Sequence, residues 1–192
     1  MGNKSASFFF GSLLAIASAS MVATAGCDGG SDGTGGAGGG TGGSAGSACF
    51  DYSKFDGTTP AVSFQADVLP VFQRSCGVAT SCHGDITSPN ENRPYFGPNK
   101  DTTATQADID AIFADIVDVD SFYEPGMKIV KTSDPENSFL MFKLDDTLEC
   151  SALTCADNKA CGALMPQGVS EPLALAERDA IRRWIAQGAQ KN

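Results

Sequence analysis

Val68-Leu69-Pro70-Val71-Phe72-Gln73-Arg74-Ser75-Cys76 runs, after Gly77-Val78-Ala79-Thr80-Ser81, into Cys82-His83-Gly84. Counted from Phe64, the apolar residues Val68, Val71 and Phe72 recur at i+4, i+7 and i+8, the spacing of one buried helix face. Pro70 lacks an N–H and must kink or restart that helix. The same period continues outward. Thr105 to Val117 places Ile109, Ile112, Phe113, Ile116 and Val117 on one face and acids on the other. A third helix is expected from Ser133-Asp134-Pro135, a capping residue followed by proline at the first turn, through Phe139, Leu140 and Phe142 to about Leu144. A last one starts near Leu175, presents Ile181, Trp184 and Ile185, and stops at Gly188, a C-cap residue. No alternating strand pattern of useful length appears, so the expected class is mainly α.

Two thiols followed at once by an imidazole are the residues that a covalent haem uses. The sulfurs form thioethers with the vinyl groups, and an adjacent histidine reaches the iron. Cys76 and Cys82 are the candidate attachment points and His83 the candidate proximal ligand. Ala163-Leu164-Met165-Pro166-Gln167-Gly168 offers Met165 in a rigid turn for the opposite face of the iron. His83 is the only histidine, which excludes bis-histidine ligation within one chain. It also excludes a Ser-His-Asp triad that leaves the haem ligand free. The sixth position is then Met165, a lysine, a weaker ligand or open. A closed His/Met pair favours electron transfer, and an open iron would permit ligand binding or peroxidatic chemistry.

The stretch from Val68 to Gly84 resembles the haem-attachment helix of c-type cytochromes. Met165-Pro166-Gln167-Gly168, then Pro172-Leu173, Glu177 and Ile181-Arg182-Arg183-Trp184-Ile185, resembles their C-terminal half. The combination is most similar to the small cytochrome-c-like domains of planctomycete and myxobacterial secreted proteins, as is Ser133-Asp134-Pro135-Glu136-Asn137-Ser138 with Lys143-Leu144. The likeness covers about Phe64 to Ala189. It implies a cytochrome c-like helical domain with irregular loops and one covalent haem c per chain, attached at Cys76 and Cys82. It implies iron held by His83 and Met165, and Phe72 and Trp184 placed where the first and last helices cross. There are two departures. The family's usual motif puts two residues between the cysteines, whereas five stand here, so three must bulge. Ala174 stands where a Ser or Thr cap is usual, a change of about 1 kcal/mol in stability.

The N-terminus reads as an export signal: Lys4, then the short apolar run Phe8 to Ala17, too short and too interrupted to favour a membrane span. Thr24-Ala25-Gly26-Cys27 resembles a bacterial lipobox, which implies cleavage before Cys27 and lipidation of its sulfur, although the family pattern has leucine where Thr24 stands. Several acyl chains anchor stably where one binds reversibly. Residues 27–48 are almost wholly Gly, Ser, Thr, Ala and Asp and are expected to form a disordered leash. The expected division is therefore a signal over 1–26, a linker over 27–48 and a folded domain over 49–192. The protein would sit, lipid-anchored, on the periplasmic or cell-surface side of a membrane. The net charge of −10 argues against nucleic acid as a partner. A redox partner protein of unknown identity is the expected one.

With Cys27 carrying lipid and Cys76 and Cys82 carrying haem, four of the seven cysteines remain: Cys49, Cys150, Cys155 and Cys161. In an oxidising compartment they are expected to form two disulfides, with three pairings open. Bridges in the 150–161 insertion would steady the loop that carries Met165. A zinc knuckle is the alternative for that cluster, although its spacings fit poorly. The main expectation is a tethered electron carrier rather than an enzyme. The rival is a haem-free, disulfide-stapled surface lipoprotein with a structural or binding role, in which Cys76 and Cys82 pair with each other.

Overall fold

Helices form where the apolar period places them: α1 over Leu69–Ser75, α2 over Gln106–Ile116, α3 over Phe139–Asp145 and α4 over Leu175–Ala186. The computed structural model describes residues 49–87, 93–150, 153–155, 161–168 and 173–192. Cys27, the expected signal and the expected leash lie outside them. No β-strand forms among the described residues, only isolated bridges such as Val117 with Val130 and Asp120 with Lys128. None of the described helices is long and apolar enough to cross a membrane. The mainly α class holds.

The first helix changes its winding at Pro70 without a break. Phe64–Val68 winds as a wide π-type turn, capped by the Ser63 hydroxyl on the Ala66 N–H, and α1 begins beyond it with Pro70 in its first turn. The wide turn before it already departs from the i−4 bonding that a proline cannot complete. α2 carries a full capping box: the Asp108 N–H donates to Thr105 Oγ1 at 3.2 Å and the Thr105 N–H to Asp108 Oδ2 at 2.7 Å. Its buried residues are Ile109, Ile112 and Ile116.

The third helix differs from the continuous one the sequence suggests. Pro135–Asn137 is a separate 3-10 turn, and Ser138 leaves helical geometry at φ −101° and ψ 119° before α3 begins. The reason is a competing set of partners. The Phe139 and Leu140 N–H groups donate to the Lys128 and Ile129 carbonyls at 2.9 Å each, and the buried Ser138 hydroxyl accepts from the Lys131 N–H. Pairing with the 128–131 segment satisfies amides that a continuous helix would have used internally.

α4 ends as a Schellman motif. The Ala189 N–H donates to the Trp184 carbonyl and the Gly188 N–H to the Ile185 carbonyl, with Gly188 at φ +96°. At its other end Ala174 offers no capping oxygen. The Glu177 carboxylate still accepts the Ala174 N–H and also pairs with Arg74 of α1.

The core lies where these elements meet. Phe64, Phe72 and Trp184 are buried, with Phe64 and Phe72 centred 5.3 and 6.3 Å from Trp184; Phe113 of α2 closes the cluster at 5.8 Å. Such offset and edge-on aromatic pairs add to plain apolar burial. Phe72 of α1 and Trp184 of α4 thus meet ring to ring, while the backbone that runs beside α4 is that of the Phe64–Val68 turn. The chain end locks the start of the domain: Asn192 accepts the Phe64 N–H through its side chain and the Gln65 N–H through its backbone. A strap over residues 49–62 covers the outer side of α4. There Gln187 Nε2 donates to the Gly57, Thr58 and Pro60 carbonyls, and Phe50 lies 3.5 Å from the Arg182 guanidinium.

Candidate functional site

α1 delivers Cys76 at its C-terminal end, and the following residues fold back on themselves. The Cys76 N–H donates to the Phe72 carbonyl, and seven residues later the His83 N–H donates to the Cys76 carbonyl at 3.1 Å. Two further bonds reach the Ala79 carbonyl, from the N–H groups of Cys82 and Gly84. The expected bulge is therefore real: Val78, Ala79, Thr80 and Ser81 are exposed, while Cys76 and Cys82 are buried. The long spacing is spent outward, and the two ends stay within one hydrogen bond of each other.

The loop lies on the 93–99 segment. Arg93 donates to the Ser81 carbonyl, Asn99 to the Val78 carbonyl, and the Phe96 N–H to the His83 carbonyl. Two glycines make this approach possible. A Cβ on Gly77 would collide with the Gly97 carbonyl oxygen, and one on Gly84 would come within 2.7 Å of the Gly77 carbonyl oxygen.

His83 is partly buried, its ring edge-on to Phe96 at 5.0 Å. Its Nδ1 lies 2.7 Å from the Pro94 carbonyl oxygen. A carbonyl can only accept, so Nδ1 carries the hydrogen. In the neutral ring the lone pair then sits on Nε2. Burial pushes the His83 pKa below its usual value, against the opposing pull of the Pro94 bond, with the charges of Arg93 and Lys143 adding to the drop. The favoured form is a neutral imidazole with a fixed tautomer, the state in which histidine binds metals.

Met165 is partly buried against the core, and its N–H donates to the Lys143 carbonyl at 2.9 Å. His83 and Met165 thus share Lys143 as a neighbour, the former through its charge and the latter through its backbone. Cys76 is a free, buried thiol, and burial pushes its pKa up to about 12. The Cys82 sulfur is engaged in a disulfide. Since Cys76 is free, the Cys76–Cys82 bridge expected of the haem-free alternative does not form. The imidazole fits a haem ligand as it stands; Cys82 fits only as a thiol, after exchange of its present bond.

The four remaining cysteines form two disulfides, and of the three pairings the structure takes Cys49–Cys150 and Cys155–Cys161. The second closes the insertion just before Met165. It carries the Cys161 carbonyl, which accepts from Lys143 Nζ at 3.0 Å. Glu124 holds the other side, accepting from the Cys155 N–H at 2.6 Å and the Thr154 hydroxyl at 3.1 Å.

Sequence reasoning missed three parts of this region. Lys143 is 5% exposed, although lysine is seldom buried, with its ammonium over the rings of Tyr123 and Phe139 at 5.5 and 5.8 Å. The signal was present: Lys143 lies four residues after Phe139 and so shares its face of α3. The Pro94 carbonyl and Glu124 carried no signal, because both meet their partners only through tertiary folding. Comparisons with protein-family models, with curated proteins and with solved structures find no match.

Proposed function

We propose that the chain is a membrane-tethered monohaem c-type cytochrome that carries electrons and is not an enzyme. The single observation that supports it best is His83, held neutral with Nδ1–H on the Pro94 carbonyl and its Nε2 lone pair available, directly after Cys82. A haem held there would supply one-electron ferric–ferrous chemistry. In this reading His83 and Met165 would hold the iron, and Cys76 and Cys82 would supply the thioether sulfurs. Cys27 carries the lipid that holds the protein to the periplasmic or cell-surface face of a membrane, where a redox partner protein docks. The cytochrome c-like fold belongs to the same proposal; the Phe72–Trp184 ring contact between the first and last helices is consistent with it.

The test is expression of the full chain alongside a cytochrome-maturation system, followed by denaturing electrophoresis and staining for haem peroxidase activity. Haem migrating with the polypeptide is the expected result, lost in Cys76→Ser with Cys82→Ser. Met165→Ala should remove the methionine-dependent absorption band and lower the reduction potential. Colourless mature protein whose Cys82 remains in a disulfide would refute the reading and leave the stapled lipoprotein.

A further inference from the structure

Away from the His83 loop, three potential metal ligands converge. One oxygen of Glu124 and the sulfurs of Cys155 and Cys161 all lie within 4.8 Å of one another. Zinc–sulfur and zinc–oxygen bonds of about 2.3 and 2.1 Å in a tetrahedron separate neighbouring donors by roughly 3.5–3.8 Å. The Glu124 oxygen thus lies near that scale from a pair of sulfurs now held together by their bridge, and reduction lets them part to ligand spacing. Cys150, the third cysteine of the expected knuckle, is not among them because it is tied to Cys49. A carboxylate from a distant segment takes its place. Glu124 is held on the cluster by the Cys155 N–H and the Thr154 hydroxyl, one on each oxygen, which leaves further lone pairs free for a cation.

We propose that Cys155, Cys161 and Glu124 form a redox-gated site for a thiophilic divalent cation such as zinc, closed while the disulfide stands and opened by a dithiol reductant. The opening balances simply. Two electrons and two protons pass from the dithiol, which becomes a disulfide, to the Cys155–Cys161 bond, which becomes two thiols. The cation then displaces both protons to solvent, forming two metal–sulfur bonds and one metal–oxygen bond and leaving the fourth position to water. Two thiolates and a carboxylate around a divalent ion carry one net negative charge. Lys143, whose ammonium donates to the Cys161 carbonyl at 3.0 Å, supplies the opposing one.

Loop length distinguishes this bridge from the other. Cys155 and Cys161 are 6 residues apart, whereas Cys49 and Cys150 are 101 apart. A short loop gives up little chain entropy on closing, so the shorter bridge re-forms readily once the cation is removed, which keeps the site reversible. This site is independent of haem.

The experiment uses the full chain without haem, reduced by a phosphine under argon and titrated with Co2+ alone, which reports thiolate ligation by its charge-transfer absorption. One Co2+ per chain is expected, displaced by Zn2+, and none before reduction. Zn2+ should protect two thiols from alkylation in the unaltered protein, and peptide mapping should place them at Cys155 and Cys161. Cys155→Ser should abolish the absorption, Glu124→Gln should weaken Co2+ binding at least tenfold, and Cys49→Ser with Cys150→Ser should leave it intact. Protection mapped to other cysteines, binding unchanged in Glu124→Gln, or no binding after thiol counting shows the bridge open would each overturn the proposal.

Discussion

Arg182 is fully buried and Asp145 is 3% exposed, so their pairing should dominate the local stability of α3 on α4. Arg182 Nη2 donates to both carboxylate oxygens, at 2.7 and 2.6 Å, and Arg178 donates to one of them at 2.7 Å. Arg182 also pairs with Asp179 and lies 3.5 Å from the Phe50 ring centre, while its Nε finds no partner among the described residues. Asp145→Ala leaves that guanidinium buried beside one partly exposed carboxylate. Breaking a buried pair from one side typically costs about 3–5 kcal/mol. Asp179 and the aromatic stack retain part of the interaction, so about 3 kcal/mol is expected. At about 2 cal/mol/K of unfolding entropy per residue over roughly 140 residues, that lowers Tm by about 10 °C. Arg182→Met keeps most of the volume and leaves Asp145 with Arg178, so about 1 kcal/mol is expected. The double variant should lose less than the sum, with a coupling of about 2 kcal/mol. Urea unfolding followed by circular dichroism, disulfides intact and m-values compared, measures all three. An Asp145→Ala loss below about 1 kcal/mol, or strict additivity, would refute the view that this pair is a desolvated unit.

Burial pulls the Lys143 pKa down to about 8 from 10.5. Between those values the unfolded chain binds the proton that the folded chain has released, so stability rises with pH across that window; below it the charged, buried ammonium destabilises the fold. Lys143→Met should therefore stabilise at pH 7, and its advantage over the unaltered protein should shrink from pH 8 upward and vanish near pH 10.5. Paired Tm measurements across that range check the sign, and a constant difference would contradict it. Gly77→Ala drives a methyl into the Gly97 carbonyl oxygen and to within 3.1 Å of that of Pro98, both main-chain atoms, and should destabilise by about 1–3 kcal/mol while freeing the 78–81 bulge. Faster proteolytic cutting within that bulge is the expected readout. Gly126→Ala meets nothing within 4 Å, so it should show only the smaller effect of its positive φ.

The fold was legible wherever helix period and punctuation agreed. Ile109, Ile112 and Ile116 with the Thr105 cap, and Ile181, Trp184 and Ile185 with Gly188, are local signals that need no tertiary partner to be read. The break at Ser138 was not legible, because Pro135 and Phe139 each look helical. Only the approach of the 128–131 segment gives those amides better acceptors. Arg182 was hidden differently. It sits one residue from Ile181 on the helix wheel, and whether that edge of α4 faces water depends on the strap carrying Phe50. The Cys49–Cys150 bridge ties that strap to the chain beyond α3, a link of separation 101 that no local pattern encodes.

For the candidate site, the residue types were readable and their second partners were not. Cys76, Cys82, His83 and Met165 stand out by chemistry, but what fixes the imidazole is the Pro94 carbonyl on a segment eleven residues away. The five-residue spacing shows why a count of intervening residues is a weak guide. Hydrogen bonds from the Cys82 and Gly84 N–H groups to the Ala79 carbonyl, and from the His83 N–H to the Cys76 carbonyl, cinch the loop at its base. The extra chain then leaves through solvent, without lengthening the path between the points that matter. Adding residues at an exposed bulge changes closure entropy only slowly, by about 0.6 kcal/mol per doubling. Shortening is a different matter, because it removes Ala79 and with it the acceptor that holds both Cys82 and Gly84. Deletion of Val78, Ala79 and Thr80 would restore a two-residue spacing on paper while dismantling the bonds that orient His83. If haem attachment is governed by that orientation, the deletion should lower it; if it is governed by spacing alone, the deletion should raise it. The haem stain of this variant beside the unaltered protein therefore separates the two views.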